Sequence, residues 1–519
     1  MLDNESVPKV DYEKVVEERE HYRELYLKTL EQCRKLELGV VGQKSERLGQ
    51  DEAQLTMAVL ATMLGHNAVA PEPVDTRPVR EHERQKPTGR KPLPETLPRV
   101  EIEILPDDVQ REGLDAFERI GEDVSETVER RPGSLVVVRV RRPKFVRKDR
   151  ERCAETAVAI APVPELPIER GLAGPGLVAD TIVRRWQDHL PLNRLEQVYA
   201  REGLELARST MCGWHAEAAA LARPVVQAMW LDAWRSPYLC TDATGVLVQA
   251  KEKCRHGHFW VVVAPEQHVL YAYSPKHDSA AVDKILAGYK GYLVADAHSV
   301  YDHLYRTGQV IEVACHAHLR RYFYKSLESE PERARQALAL IGELFRIERT
   351  IAEAPPGKRH SVRARESRPI VERFFAWCDG EVDRVLDGTP LAKAIGYARN
   401  QREALMRFLD DARLPLCNNI SERSLRREVV GRRNWMFIGN DDAGEVNTVF
   451  VSLLASCQLH GIEPWSYLRD LFCLLPSWPR RRVLDLAPAR WQTTLQEPET
   501  QRLLGDNVFR RATLVAAPT

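Results

Sequence analysis

The sequence predicts a multidomain α+β protein whose largest part is an α/β core with a mixed five-stranded sheet. A helical pattern at 326–412, in which apolar residues recur every three to four positions, predicts a helical insertion within that core. A shorter helix is predicted at 279–286. Apolar runs typical of buried strands occur at 238–249, 258–264, 269–273, 291–295 and 310–314.

The order of these elements favours a particular fold. Three successive strands, a helix and another strand follow the order of the ribonuclease-H-like fold. In that fold one acidic residue lies on the first strand and a second ends the fourth, and Asp242 and Asp296 occupy these places. Glu422 opens a strongly basic helix after the insertion. We divide this half of the chain into a first core segment (232–325), the insertion (326–412), a second core segment (413–480) and a C-terminal tail (481–519).

These three acids are the candidate catalytic and metal-binding residues. A carboxylate in a buried strand is costly unless it is paired or binds metal. If the acids converge, Asp242 could bridge two Mg²⁺ ions while Asp296 and Glu422 each bind one, and Mn²⁺ should substitute. Two such ions can drive phosphodiester cleavage. In the alternative, each strand-end carboxylate caps a turn, and Glu422 completes a capping box with Asn419.

Two segments precede the globular region. Residues 1–65 form an N-terminal helical region, and an imperfect heptad pattern at 10–40 predicts either a self-associating coiled coil or an amphipathic helix packed on its own chain. Residues 66–98 are a Pro-rich basic linker. Its Gly89-Arg90-Lys91-Pro92 either enters an A·T-rich minor groove or stays solvated.

The next two segments are candidate DNA-binding regions. Residues 99–165 form a small β-rich domain, in which the run from Leu135 predicts an edge strand with a basic face, or a merely solvated one. Residues 166–231 are helical and helix-turn-helix-like, with Ser209 or Thr210 capping the second helix; a plain helical hairpin is the alternative. The DNA-contact candidates on the basic face are Arg139, Arg141, Arg142, Lys144, Arg147 and Lys148.

A second group of DNA-contact candidates surrounds the acids. Arginines beside a metal site are well placed to hold a DNA backbone. Trp435 could stack on a base or belong to the core, and His318 could contact phosphate or be structural. The group comprises His318, Arg320, Arg321, Arg423, Arg426, Arg427, Arg432, Arg433 and Trp435.

Overall composition narrows the class of protein. Lys+Arg and Asp+Glu are equal at 75 each, so any polyanion site must be local. The ten cysteines are scattered without a Cys-x-x-Cys motif, as in a reducing cytoplasm. The polar N-terminus and the lack of an apolar run near 18 residues predict neither a signal peptide nor a membrane span.

Several motifs resemble the insertion-sequence-66 (TnpC-type) family of bacterial DDE transposases. They include Gly89-Arg-Lys-Pro-Leu-Pro94, Cys315-His-Ala-His-Leu-Arg-Arg-Tyr-Phe323, Asn418-Asn-Ile-Ser-Glu-Arg-Ser-Leu-Arg426, Gly431-Arg-Arg-Asn-Trp-Met-Phe-Ile-Gly439 and Leu459-His-Gly-Ile-Glu-Pro-Trp-Ser-Tyr-Leu468.

The resemblance implies that the triad Asp242, Asp296 and Glu422 cuts DNA at the terminal inverted repeats of a mobile element and joins the 3′-hydroxyl to target DNA. It also implies a homo-oligomer that acts at the bacterial nucleoid, with accessory proteins from the same element.

Some family features differ in this chain. Ala243, Ala297 and Cys417 replace residues usual beside the acids, and the region matching the family's zinc ribbon keeps only Cys153, so no zinc is expected. These departures leave two alternatives to an active transposase: a catalytically silent or domesticated DNA-binding protein, and a ribonuclease-H-fold nuclease that does not join strands.

Overall fold

A computed structural model of the protein describes residues 93–131, 133–148, 158–168 and 171–514. The predicted N-terminal helical region, the Gly89-Arg90-Lys91-Pro92 segment and Cys153 lie outside the described residues. Lys91–Thr519 form one compact unit, so the predicted segments from 99 onward pack within a single body. No described helix combines the length and the hydropathy that a membrane span requires.

The first sheet confirms the predicted β-rich segment and corrects its arrangement. The strands run in the order β1-β3-β2, and β4 also pairs with β3. The predicted edge position of the run from Leu135 is therefore wrong, because this run forms the central strand β3. The strands are β1 (Arg99–Glu103), β2 (Phe117–Arg131), β3 (Ser134–Arg147) and β4 (Ala159–Ile160), with helix α1 (Asp107–Glu112) between β1 and β2.

Three helices follow: α2 (Pro175–Trp186), α3 (Leu192–Arg201) and α4 (Arg208–Ala233). The prediction of two helices around a turn near Gly203 is confirmed, and Gly203 has the positive φ of +87° that favours glycine. The predicted cap is wrong. The N-cap of α4 is Ala207, without a side-chain hydrogen bond, and Ser209 and Thr210 lie inside the helix.

The second sheet contains the predicted core strands. Its order is β7-β6-β5-β8-β9; β6 is antiparallel to both β5 and β7, whereas β8 is parallel to both β5 and β9. A two-residue strand, β10, pairs with the end of β5 and makes the sheet six-stranded rather than five-stranded. The strands are β5 (Tyr238–Val248), β6 (Arg255–Ala264), β7 (His268–Ser274), β8 (Gly291–Ala295), β9 (Val310–Ala314) and β10 (Phe437–Ile438).

Helices occupy most of the remaining core. The predicted insertion is confirmed as helical, with a break at Pro355. A π-helical turn at Arg363–Ser367 lies within it. The helices are α5 (Ser279–Ile285), α6 (Asp302–Arg306), α7 (His316–Lys325), α8 (Pro331–Thr350), α9 (Pro356–Val362), α10 (Arg368–Glu381), α11 (Pro390–Asn400), α12 (Arg402–Met406), α13 (Asn419–Trp435), α14 (Asp441–Leu459) and α15 (Pro464–Leu474).

Helix α14 protects the free edge of the second sheet. The backbone N–H groups of Val269 and Tyr271 on edge strand β7 donate to the hydroxyls of Ser456 and Ser452, at 3.0 and 2.8 Å. An uncovered edge strand would leave such groups free to pair with another chain. The small, buried serines of α14 therefore bring the helix close enough to satisfy the strand.

The region predicted only as a tail contains α16 (Pro488–Thr494), α17 (Pro498–Asp506) and α18 (Val508–Leu514). Helix α18 packs Phe509 and Ala512 against the valines at 136, 138 and 140 on one face of β3. The sequence interpretation missed these helices because helices this short carry little periodic signal, and their burial depends on a distant sheet.

Candidate active site

Asp242 and Asp296 occupy matching positions on two neighbouring strands. β5 and β8 are parallel, and their register pairs Cys240 with Val294. Asp242 lies two residues beyond Cys240, and Asp296 lies two residues beyond Val294, directly after β8 ends at Ala295. Because neighbouring strands are about 4.8 Å apart, the sheet brings the two carboxylates together.

Glu422 approaches the same place from α13, which packs across β5. Ahead of the helix, the side-chain amide of Asn418 donates to the carbonyl oxygen of Thr241 at 2.8 Å. Towards the other end, the guanidinium of Arg432 donates to the hydroxyl of Thr244 at 2.9 Å. Both ends of α13 are thus fixed to the strand that carries Asp242, and Glu422 lies in the first turn of the helix.

The pKa of Asp242 reflects this convergence. Burial raises the pKa of its carboxyl to about 6. The hydrogen bond from the Ala243 backbone N–H opposes this shift, and the negative charges of Asp296 and Glu422 add to it. A carboxyl that is repelled by two neighbouring carboxylates gains from a cation placed among them.

Glu422 is held by two cationic or polar side chains of α7. Its Oε1 atom lies 3.4 Å from Nη2 of Arg321 and 3.6 Å from Nε2 of His318. The alternative that Glu422 completes a capping box is wrong, because the N-cap is Asn418 rather than Asn419 and the helix start has no side-chain cap. The carboxylate of Glu422 is therefore free of the helix start.

The donor set suits Mg²⁺ by chemical type and by convergence. Mg²⁺ prefers carboxylate oxygens and keeps several waters, so two carboxylates can suffice for each ion. Among the described residues, no three His, Cys, Asp or Glu side chains already have the spacing that would hold a metal ion. Closing a site around Asp242, Asp296 and Glu422 would therefore require side-chain adjustment.

The basic residues of β3 form ion pairs. Because successive residues of a strand point to opposite faces, Arg141 and Arg142 lie on different faces, and the predicted single basic face is wrong. Carboxylates of β1, β2 and α1 surround these cations, so most of the positive charge seen along the sequence is balanced within the fold. Lys148 lies exposed directly after β3, and DNA contact by these residues stays a prediction. The pairs join Arg139 and Arg141 to Glu101, Arg139 to Glu126, Arg141 to Glu122, Arg142 and Lys144 to Asp123, and Arg147 to Glu112.

The arginines of α13 have a different environment. Within the region of the chain that the structure describes, no carboxylate lies at ion-pair distance from any of them. Arg320 on α7 is likewise exposed and unpaired among these residues. The α13 arginines are Arg423, Arg426, Arg427, Arg432 and Arg433.

Trp435 has contacts typical of a core aromatic residue. It is half-buried, packs against the apolar cluster of Val246 and Ile438, and has the guanidinium of Arg185 at 5.4 Å from its ring centre. These contacts support the core alternative, and stacking on a base stays untested.

Sequence reasoning missed some neighbours of the acids. Asn418 was visible in a recognised motif, but its bond to Thr241 depends on a contact between distant segments. The rings of His277 and His298 lie 4.7 Å apart, and burial and the charge of His298 lower the pKa of His277, whereas the charge of Asp296 opposes this shift. No sequence pattern marks His277 as belonging to this neighbourhood.

The fold and the site define a mixed α/β protein with a candidate phosphoryl-transfer centre. Residues 170–446, more than half of the chain, match the model described as the transposase IS66 family. Residues 30–102 match "Transposase C of IS166 homeodomain", and residues 452–489 match "IS66 C-terminal element". The chain belongs to the IS66 family of transposases.

Curated relatives match along nearly the full chain. The uncharacterized protein y4hP of Sinorhizobium fredii (strain NBRC 101917 / NGR234) is 30% identical over 489 residues, which cover 88% of this chain and 87% of that protein. The uncharacterized protein y4qI of the same strain is 28% identical over 470 residues and covers 86% of each chain.

Proposed function

We propose that this protein binds the terminal inverted repeats of an insertion element, cleaves the DNA at its ends and joins the freed 3′-hydroxyl to target DNA. The convergence of Asp242, Asp296 and Glu422 in a member of a transposase family carries the proposal. The strand order β7-β6-β5-β8-β9, with only β6 reversed, supports a ribonuclease-H-like core for this chemistry.

In this proposal Asp242, Asp296 and Glu422 would hold two Mg²⁺ ions, for which Mn²⁺ would substitute. When bound, such ions supply an activated hydroxyl and stabilise the leaving oxygen. His318 and Arg321 fix the orientation of Glu422. Burial and the charges of Asp296 and Glu422 raise the pKa of Asp242, so a bound cation would stabilise its ionised form.

The unusual neighbours of the acids are compatible with activity. Ala243 contributes its backbone N–H to Oδ1 of Asp242 at 2.8 Å, an interaction that does not require a particular side chain. Cys417 precedes Asn418, which keeps its bond to Thr241. At Ala243 and Cys417 the placement of the neighbouring acids therefore depends on groups that the substitutions retain, which favours an active protein over a silent one.

Further partners follow from the proposed reaction. Two element ends must be held together, so we propose a homo-oligomer, for which 10–40 is the candidate interface. Accessory proteins of the same element and a site of action at the bacterial nucleoid complete the proposal. We propose no structural zinc.

Strand cleavage and joining on DNA that carries the flanking repeats, with Mg²⁺ or Mn²⁺, tests the function. Wild type should nick at the repeat end and form joined product, and Asp296→Asn should do neither while still binding the DNA. Cleavage without joining would indicate a nuclease. Repeat binding without cleavage by either protein would indicate a silent DNA-binding protein.

A further inference from the structure

A cavity of about 560 Å³ lies beside α13, next to the edge strand β7. Its walls are α13, α14, β7 and the turn that follows α2. Ile420, Arg423, Arg427 and Val430 line it at the three- and four-residue spacing of one helix face. Neither the three acids nor Arg432, which is bonded to β5, belong to its lining.

The wall of this cavity contains a partly buried cation without an ion pair. Arg427 donates to the backbone carbonyl of Trp186 and to the side-chain carbonyls of Gln187 and Gln458, all of which are neutral. Burial lowers the pKa of Arg427, and the carboxylate of Glu428 offsets this only in part. A guanidinium held in this way has a preorganised site for an anion.

Two more arginines extend the positive charge to the rim. Arg423 and Arg426 are exposed and line the cavity. Arg423 donates only to the carbonyl of Asn419, at 3.3 Å, among the described contacts. None of the described residues that line the cavity is Asp or Glu. The positive charge here is therefore available, whereas the charge on β3 is consumed by ion pairs.

We propose that this cavity binds a phosphodiester group of DNA, with Arg427 as the inner contact and Arg423 and Arg426 at the rim. The proposal rests on the proposed function for the identity of the polyanion. Glu422 directly precedes Arg423 on α13 and lies four residues before Arg426, so the carboxylate and the rim of the cavity are neighbours on one helix. The helix would thus hold the DNA backbone beside the catalytic carboxylate that it presents.

The salt dependence of binding to a duplex of arbitrary sequence tests this site. Each phosphate contact adds about 0.9 to the slope of log K against log salt. Replacement of both rim arginines, Arg423→Gln with Arg426→Gln, should lower the slope by about 1.8. The matched control Arg335→Gln with Arg346→Gln removes two arginines of α8 that are ion-paired with Glu332 and Glu343, and it should leave the slope unchanged.

A second variant keeps every arginine. Val430 is 44% exposed at the cavity, so Val430→Glu adds a negative charge with little loss of packing. It should weaken DNA binding and leave the melting temperature within about 2 °C of wild type. An unchanged slope in the double variant, or unchanged affinity in Val430→Glu, would overturn the proposal.

Free phosphate and DNA can be distinguished with the same proteins. Inorganic phosphate and a deoxynucleoside monophosphate are titrated separately while thermal unfolding is followed. One outcome would assign the cavity to a small anion and overturn the proposal. In it, either compound stabilises wild type but not the Arg423→Gln, Arg426→Gln variant, while that variant binds DNA as tightly as wild type. Wild-type binding with no cleavage would instead count against the transposase function and leave the cavity assignment intact.

Discussion

The side-chain amide of Asn418 donates to the carbonyl oxygen of Thr241 at 2.8 Å, and both residues are buried. This bond joins the residue before α13 to the residue before Asp242. Together with the bond from Arg432 to Thr244 at the other end of α13, it fixes the position of Glu422 relative to Asp242.

Asn418→Ala should reduce both stability and cleavage. The loss leaves a buried carbonyl without its donor, which costs about 1–3 kcal/mol. A displaced Glu422 should lower the cleavage rate by about tenfold to a hundredfold. Urea unfolding and single-turnover cleavage measure the two effects. Asn419→Ala, at the exposed neighbouring position, should change neither.

Glu129 and Glu126 on β2 should give opposite dependences of stability on pH. Burial raises the pKa of Glu129 to about 8, although its Oε1 accepts the N–H groups of Arg130 and Leu177. Its folded pKa exceeds the unfolded value near 4.5. Its contribution to stability is therefore complete below that value and is lost as pH rises towards 8.

In wild type, Glu129 should make the free energy of unfolding decrease as pH rises, and Glu129→Gln should reduce that slope by up to about 1.4 kcal/mol per pH unit. Glu126 is the matched control on the same strand: burial raises its pKa, but its bonds to Arg139 and Arg99 outweigh this and lower it. Its stabilisation is present at neutral pH and lost in acid, so Glu126→Gln should matter most at neutral pH. Urea unfolding from pH 5 to 8 measures the stability of both variants. If the stability of Glu129→Gln and that of wild type changed in parallel with pH, the raised pKa of Glu129 would be contradicted.

Arg363 should be among the most sensitive positions in the helical insertion. Its guanidinium is 1% exposed, binds both oxygens of Glu348, and donates to the carbonyls of Phe408 and Leu414 at 2.7 and 3.0 Å. Arg363→Ala leaves the partly buried carboxylate of Glu348 and several carbonyls unpaired, which should cost about 3–5 kcal/mol.

Arg363→Lys keeps the charge but loses the planar guanidinium with its several N–H donors. It should therefore lower the free energy of unfolding by less than Arg363→Ala does. The neighbouring Arg365 has a side chain that is 71% exposed, and Arg365→Ala should change the free energy of unfolding by less than about 0.5 kcal/mol. Chemical denaturation of the three variants compares these values, and a small effect at Arg363 would refute its structural role.

Met436 occupies strained backbone at the end of α13. Its φ of +63° and ψ of −47° are rare for a residue with a side chain, and that side chain is largely exposed. Met436→Gly should raise the free energy of unfolding by about 1 kcal/mol. Met436→Ala removes the same side chain and retains the strain, so it should show no gain in thermal unfolding.

The success of sequence prediction differed between the two sheets. β8 and β9 have the predicted bounds because short apolar runs between polar turns specify buried strands. The acids were candidates because carboxylates are unusual in such runs. The register that pairs Cys240 with Val294, and so aligns Asp242 with Asp296, is a long-range property that the sequence does not display.

Counting charges along the sequence does not show which of them are paired in the fold. The arginines of β3 form a basic run in the sequence, but Glu101 and Glu126 form ion pairs with them from β1 and β2. On α13, by contrast, no Asp or Glu lines the cavity beside the arginines. Local charge indicates a polyanion site only when the neighbouring strands or helices leave it uncompensated.

Because α18 covers one face of β3, that face stays uncovered until the end of the chain has been synthesised. Val136 and Val138 leave the ribosome early, whereas Phe509, which shields them, is translated only after most of the chain. Domains fold during synthesis as their residues emerge, and exposed apolar strands are prone to aggregation. A nascent or truncated chain would therefore display an unshielded valine face, which marks it for chaperones and proteases until synthesis reaches the shielding helix.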